Sequence, residues 1–440
     1  MLARLLGAWL VGSNVPSFAN TPERAVLVAV ERQRGGLLNA DESMHELASL
    51  ATTAGLVVVA SAVQTVKRPN PRTLIGTGKI EEIRQLVDSL AAQVVLFDDE
   101  LTPVQQRNLE VLFCVKVVDR TQLILDIFAQ RATSQEGKLQ VELAQLQYLM
   151  PRLTRQWLHL SRQRGGVGTR GPGETQLEVD RRGVRERIAT LRRRLAQVSR
   201  TRRLHRSKRA SVPYPVVALV GYTNAGKSTL MNRLTEAEVL VENRLFATLD
   251  PTVRMLRLPD GVDSMLVDTV GFIHKLPHGF VDAFKSTLEE VRCASLIVHV
   301  VDGSQRLARE HIEVVNGVLE DLGAGRTPRV TVFNKADRRA AADSLPRVDG
   351  ATCEVSARDG SGVDLLLRQV GMLISAQQEK LQVLIPMDRA DLMAALHRSG
   401  RVVEEVLGEG ETSFRVVAYV SSAVAGRIRK ELAKELDTTC

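Results

Sequence analysis

The chain alternates two hydrophobic patterns. Short runs of consecutive apolar residues at 25–30, 56–60 and 94–97 have the length and β-branched content of strands buried on both faces. Between them, residues 41–54 and 80–91 space their apolar positions as a helix with one buried stripe does. This alternation, from about residue 25 to 127, predicts a small parallel α/β sheet, because parallel neighbours need a crossover helix. Residues 133–160 then read as helix, with no Gly or Pro between Lys138 and Met150. A Gly-rich break at 165–173 follows, and 174–209 resumes the helical spacing, so the pair predicts an antiparallel αα-hairpin. Residues 211–215, with two prolines, read as a domain entrance. Strands and helices alternate again from Val216 to about Gln378. A strand at 381–385, a helix at 389–397, two strands around Gly408 and a last helix to about Glu435 predict a small α+β appendix.

Charge changes this picture at the hairpin. The 440 residues carry a formal charge of +8, but residues 151–210 hold 18 Lys or Arg against 4 Asp or Glu, so the rest is net acidic. Such a concentration points to a polyanion partner; the blander alternative is a solvated helix face. Arg dominates, and its planar fork suits phosphate. Aromatics are sparse, with Tyr148 and Trp157 nearby, so backbone-directed binding to structured RNA is expected rather than base stacking. The four cysteines, Cys114, Cys293, Cys353 and Cys440, form no C-x-x-C pair, which argues against a disulfide framework or zinc site and fits a reducing cytoplasm. No apolar run approaches the roughly 18 residues of a membrane helix, so no integral membrane segment is expected. Residues 5–11 are too short for a secretory signal and read as part of a frayed extension.

The sharpest chemistry lies at Gly221, Tyr222, Thr223, Asn224, Ala225, Gly226, Lys227 and Ser228, a G-x-x-x-x-G-K-S loop between an apolar strand and a helix start. Its backbone N–H groups and the helix N-terminus can cradle phosphates, with Lys227 on the β- and γ-phosphates and Ser228 on Mg²⁺. Downstream, Asp268, Thr269, Val270 and Gly271 form D-x-x-G at a strand end; Asp268 can hold Mg²⁺ through water and Gly271 can sense the γ-phosphate. Asn334, Lys335, Ala336 and Asp337 form N-K-x-D at another strand end. The Asp337 carboxylate matches the guanine N1–H and N2 amine, and would be left unpaired by adenine. Ser356, Ala357 and Arg358 follow, with loop N–H groups for the guanine O6. Each motif alone is weak; all four in this order predict specific GTP binding. Between the first two lie Phe246, Ala247, Thr248, Leu249, Asp250, Pro251 and Thr252, where either Thr could close over Mg²⁺ and the γ-phosphate.

After Gly271, the position where many GTPases carry a water-orienting Gln is Phe272, so slow intrinsic hydrolysis is expected unless a partner or cation assists. His274 and His278 sit just beyond and are chemically able to take part. Gly76-Thr77-Gly78-Lys79 lacks the full phosphate-loop spacing and reads as a turn before a helix.

Taken in order, these segments resemble the HflX family of translation-factor-related GTPases. Residues 72–79 resemble its N-terminal signature and residues 165–182 its most distinctive segment; GYTNAGKS, FATLD, DTVGF, NKAD and SAR fit in sequence. The likeness runs from about Ala25 to the C-terminus and includes the non-Gln residue at Phe272. It implies that Thr248 is the mobile Thr, so the expected catalytic positions are Lys227, Thr248 and Gly271 and the metal ligands Ser228 and Thr248, with Asp268 through water. Asn224 resembles the Asn of potassium-stimulated GTPases, making K⁺ a candidate hydrolysis activator. The family binds the large ribosomal subunit with GTP and can split stalled or idle ribosomes under stress. The hairpin tip would approach the peptidyl transferase RNA, making Gly165, Gly166, Gly168, Arg170, Gly171 and Gly173 the expected RNA contacts.

The expected fold class is therefore α/β: a flexible extension (1–22), an N-terminal α/β domain (23–130), a basic helical hairpin (131–210), a P-loop GTPase domain (211–378) and a small α+β domain (379–440). The expected partners are GTP or GDP and the large ribosomal subunit, with nothing requiring more than a monomer. The rival readings are a GTPase chaperone of subunit assembly or other structured RNA, an RNA-remodelling ATPase, and a regulator whose hairpin is a protein-binding arm.

Overall fold

The computed structural model describes residues 22–32, 40–153, 176–209, 214–235, 245–246, 248–259, 261, 263–275, 288–339, 344–408 and 412–438. The hairpin-tip positions Gly165 to Gly173, along with Ala247, His278 and residues 1–21, lie outside this set. The chain forms two compact units, one ending at Asp119 and one running from Arg120.

The first unit is a four-stranded sheet in the order β2-β1-β3-β4, built from β1 (Arg24–Arg32), β2 (Val57–Val66), β3 (Val94–Phe97) and β4 (Lys116–Asp119). All pairings are parallel, with Leu27 opposite Leu96 and Leu96 opposite Val118. Helices α1 (Ala40–Thr53), α2 (Thr77–Ser89) and α3 (Pro103–Phe113) provide the crossovers. Val26, Val28, Phe97, Ile83 and Leu109 belong to one buried cluster, which explains why the inner strands read as continuous apolar runs. Helix α3 starts with a capping box in which the Thr102 hydroxyl and the Gln105 side chain satisfy each other's backbone N–H groups.

Helix α4 (Arg120–Arg131) groups with the second unit. There it leads into α5 (Gln135–Leu149), a 3₁₀ turn (Met150–Leu153) and, beyond the undescribed tip, α6 (Gln176–Arg209). Leu139 and Leu143 of α5 pack with Ile188 and Leu191 of α6, and Arg187 meets Glu142 at 2.7 Å. This apolar seam is narrow, and many of the arginines around it on α6 face solvent.

A six-stranded sheet follows, in the order β10-β9-β8-β5-β7-β6. Its strands are β5 (Val216–Gly221), β6 (Thr252–Arg257), β7 (Asp263–Asp268), β8 (Leu296–Asp302), β9 (Arg329–Asn334) and β10 (Ala351–Glu354), with α7 (Lys227–Thr235), α8 (Ala308–Asp321) and α9 (Val363–Ser375). Only β6 at the edge runs antiparallel. The first strand lies inside the sheet between β8 and β7, so the chain turns outward in both directions from β5, and the crevice beyond its C-terminal end is where such sheets bind ligands. Last, β11 (Gln378–Pro386), β12 (Gly400–Leu407) and β13 (Ser413–Ser421) form an antiparallel sheet in the order β11-β13-β12. Its core is shared with α10 (Ala390–Ser399) and α11 (Ser422–Thr438) through Leu381, Leu396, Val416 and Ile428. Among the described residues, no helix is long and apolar enough to cross a membrane.

Candidate nucleotide site

The loop between β5 and α7 curls back on itself, and its shape is enforced from outside. Asn224 takes φ of 60° and Gly226 φ of 92°, the left-handed region where a side chain is disfavoured. The Asn334 amide donates to the Ala225 carbonyl at 2.9 Å, and a Cβ on Gly226 would collide with that amide nitrogen. The Asn334 Oδ1 accepts the Ala357 N–H at 3.0 Å. One side chain thus ties the 221–228 loop to the 356–358 loop. Lys335 adds a second tie, donating to the Asn224 carbonyl at 2.8 Å and to Asp302 at 2.7 Å.

Lys227 opens α7 with only 6 % of its surface exposed. Its ammonium donates to the carbonyls of Gly221 (3.1 Å) and Tyr222 (2.9 Å), so it is aimed back over the loop. Burial pulls its pKa down from 10.5 to about 8, with the nearby Asp268 charge opposing. Asp268, at the end of β7, is pushed the other way: burial raises its pKa, against the pull of Lys227 and of the Ser228 and Thr248 hydroxyls.

Ser228 Oγ donates to Asp268 Oδ2 at 2.6 Å, and Thr248 Oγ1 lies 2.8 Å from Ser228 Oγ and 3.1 Å from the same carboxylate oxygen. The other carboxylate oxygen, Oδ1, is buried without a hydrogen-bond partner. Three hard oxygen donors drawn together, with a buried orphan beside them, fit a Mg²⁺ ion. The GTPase fold carries that requirement in general, and the oxygens of Ser228, Thr248 and Asp268 are the ones that could hold the ion here. Thr252, the other hydroxyl considered from sequence, lies in strand β6.

The D-x-x-G segment is locked against the phosphate loop. Thr269 donates to the Leu219 carbonyl at 2.7 Å. Gly271 has no room for a side chain, since a Cβ would sit 2.9 Å from Thr223 Cα and 3.0 Å from Lys227 Nζ. Phe272 pairs with Tyr222 as a short parallel bridge: its N–H donates to the Gly221 carbonyl (3.1 Å) and its carbonyl accepts the Thr223 N–H (2.8 Å). Phe272 is 2 % exposed.

A cavity of about 310 Å³ runs along these elements. It is lined at one end by Thr223, Lys227, Ser228, Phe246, Thr248, Thr269 and Gly271, and at the other by Asn334, Lys335, Asp337, Ala357 and Arg358, with Asn224 and Gly226 also lining it. Asp337 accepts the Ser356 hydroxyl at 2.8 Å, which fixes its carboxylate at the cavity. Gly221, Tyr222, Ala225, Val270, Ala336, Asp268 and the fully buried Ser356 do not line the cavity. Leu249 is buried, and the Asp250 carboxylate is bound by Thr133 and Ser134, away from the lining. Thr229 and Arg338 line the cavity beside motif positions and were not singled out from sequence. Nor was the stack of Tyr222 on His311, with ring centroids 3.9 Å apart. The Tyr222 hydroxyl accepts the His274 backbone N–H at 2.8 Å, and burial holds the His311 pKa down to about 4.

Three family models cover most of the chain. Residues 41–129 match the GTP-binding GTPase N-terminal region, 131–209 the GTP-binding GTPase middle region, and 216–335 the 50S ribosome-binding GTPase. A GTPase HflX of Magnetococcus marinus is 46 % identical over 94 % of this chain and 96 % of its own length. The GTPase HflX of Escherichia coli is 45 % identical over 85 % and 89 %. Among solved structures, a GTP-binding protein from Sulfolobus solfataricus in complex with GDP is 24 % identical, covering 80 % of this chain and 99 % of its own, with a TM-score of 0.42. A guanine-nucleotide site of this geometry, relatives of this identity over nearly the whole length and all three region models in order agree: the chain belongs to the HflX family of GTPases.

Proposed function

We propose that this chain is a cytoplasmic GTPase switch that binds the large ribosomal subunit in its GTP state, hydrolyses GTP on ribosome contact, and splits or rescues stalled or idle ribosomes. The observation that carries it is the pairing, within one compact unit, of a guanine-nucleotide site with an arm whose segment 151–210 holds 18 Lys or Arg against 4 Asp or Glu. The 50S ribosome-binding GTPase model over 216–335 supports the same partner.

In this reading Lys227 and the loop N–H groups hold the β- and γ-phosphates, and Asp337 selects guanine. A bound Mg²⁺ would neutralise the phosphate charge that hydrolysis redistributes. Thr248 and the Gly271 N–H sense the γ-phosphate; with GDP they relax and the arm loses its binding-competent state. Phe272 cannot orient water, so ribosome contact supplies that geometry, and K⁺ held near Asn224 is a further activator. Arg170 and the glycines at 165, 166, 168, 171 and 173 make the RNA contacts at the tip.

The test is sedimentation of the full chain with assembled ribosomes and with separated subunits, in GDP and in a non-hydrolysable GTP analogue. Analogue-dependent binding to the large subunit, loss of the assembled-ribosome peak and a steep fall in binding with salt are expected. Binding that ignores the nucleotide, or is confined to assembly precursors, would overturn it. Hydrolysis measured in K⁺ and Na⁺ tests the cation separately.

A further inference from the structure

Asp250 closes the segment that carries Thr248, yet the partners of its carboxylate lie 116 and 117 residues away. One oxygen, Oδ2, accepts the Thr133 N–H (3.0 Å), the Thr133 hydroxyl (2.7 Å) and the Ser134 N–H (2.7 Å). The other accepts the Ser134 hydroxyl. Ser134 is the N-cap of α5, and its Oγ in turn accepts the Gly137 N–H at 2.9 Å. The carboxylate therefore sits at the positive end of the helix and completes its cap. Gly137 keeps the place open, since a Cβ there would press against both Asp250 Oδ1 and Ser134 Oγ. Burial works against the charge, but the bonds from Ser134 and Thr133 outweigh it and hold the carboxyl below its ordinary pKa.

A second contact lies at the other end of the same segment. Phe246, itself buried, meets Phe128 of α4 edge-on, with ring centroids 4.5 Å apart at 88°. Phe246 and Asp250, on either side of Thr248, are thus both held at the corner where α4 passes into α5. Thr248 hangs between them, within 2.8 Å of Ser228 and 3.1 Å of Asp268.

We propose that Asp250 is a positioning residue for GTP hydrolysis: docked on the N-terminus of α5, it holds Thr248 in its closed place and makes closing the nucleotide site and seating the helical arm a single event. The proposal rests on the reading of Thr248 as the residue that closes over the γ-phosphate. By linkage, anything that pulls on the arm shifts the Thr248 position, and the γ-phosphate biases the arm in return. GDP, lacking that phosphate, is indifferent to the anchor.

The experiment uses the full chain and five variants: Asp250→Ala, Asp250→Asn, Thr133→Val with Ser134→Ala, that pair combined with Asp250→Ala, and Thr248→Ala. Hydrolysis is measured at saturating GTP, alongside the affinities for GDP and for a non-hydrolysable GTP analogue. Asp250→Ala is expected to slow hydrolysis and weaken the analogue each by about tenfold or more, with GDP affinity within about twofold of the parent. Asp250→Asn keeps an acceptor for the N–H groups and a donor for the Ser134 hydroxyl, and is expected to restore most of the rate. Adding Thr133→Val and Ser134→Ala to Asp250→Ala is expected to cause little further loss, because the carboxylate that those hydroxyls hold is already gone. An unchanged rate, a parallel loss of GDP and analogue affinity, or losses that simply add would overturn the anchor. If Thr248→Ala leaves hydrolysis unchanged while Asp250→Ala does not, the failed element is the reading of Thr248.

Discussion

Residues 76–79 and 221–228 make an instructive pair. Both are Gly-rich, both enter a helix with a Lys in or near its first turn, and both belong to units built on parallel strands. At the first, Gly76 is the N-cap of α2 with ordinary extended backbone (φ −78°), and its N–H is taken by the Gln64 side chain at 3.0 Å. Lys79 reaches along its own helix to Glu82 at 2.7 Å. At the second, the loop leaves a strand end directly, turns through left-handed conformations at Asn224 and Gly226, and stores a buried ammonium over a cavity. Spacing makes a tight loop in either place. What makes a phosphate site is the strand end beneath it and a cation that water cannot solvate.

The largest way to test that contrast is substitution of the two lysines. Lys227→Ala should weaken GTP by about 100- to 1000-fold, roughly 3–4 kcal/mol, since a buried charge partner of the phosphates is lost, whereas Lys79→Ala should leave the titration unchanged; calorimetry measures both. Next in size, Asp337→Asn should weaken guanine nucleotides by roughly 30- to 100-fold and strengthen xanthine nucleotides, whose 2-carbonyl can accept from the amide; competition binding reads the reversal.

A smaller effect follows from the Lys227 pKa of about 8. Because the folded value lies below the ordinary 10.5, between those limits the unfolded chain holds a proton that the folded chain has released. The contribution of Lys227 to stability therefore rises with pH across this window. GTP affinity moves oppositely: where the bound phosphates keep Lys227 protonated, Kd should rise toward about tenfold per pH unit above 8, and the dependence should vanish in Lys227→Met. Smallest is Arg187→Ala in the arm: its half-exposed pair with Glu142 should be worth about 0.2–1 kcal/mol in chemical denaturation, less in high salt.

What the sequence revealed depended on how local the determinants were. The inner strands and the helices Ala40–Thr53 and Thr77–Ser89 were legible because burial repeats within each segment. Helix Pro103–Phe113 and strand Lys116–Asp119 were not singled out. The helix exposes Val104, Val111 and Leu112, which blurs its apolar stripe, and the strand has four residues. The nucleotide motifs were legible because a loop and the strand that aims it are adjacent in sequence. The tie from Asn334 to Ala225, the stack of Tyr222 on His311 and the docking of Asp250 on Ser134 join distant segments. No spacing rule reaches across such separations; only the folded chain brings those groups together.

The short bridge between Tyr222 and Phe272 also bears on how this active centre can be re-engineered. Restoring the familiar water-orienting side chain by Phe272→Gln looks like a one-step gain of function. Here the backbone of residue 272 is a rung that joins two loops, and its side chain occupies the interior. A Gln in that rotamer would carry its amide into the buried interior, a penalty of about 1–3 kcal/mol when unsatisfied, and would present nothing to water. The outcome would be a lower melting temperature without faster turnover. For this chain, acquiring a built-in catalytic side chain means remodelling the loop, and that constraint favours leaving the last catalytic element to whatever the protein binds.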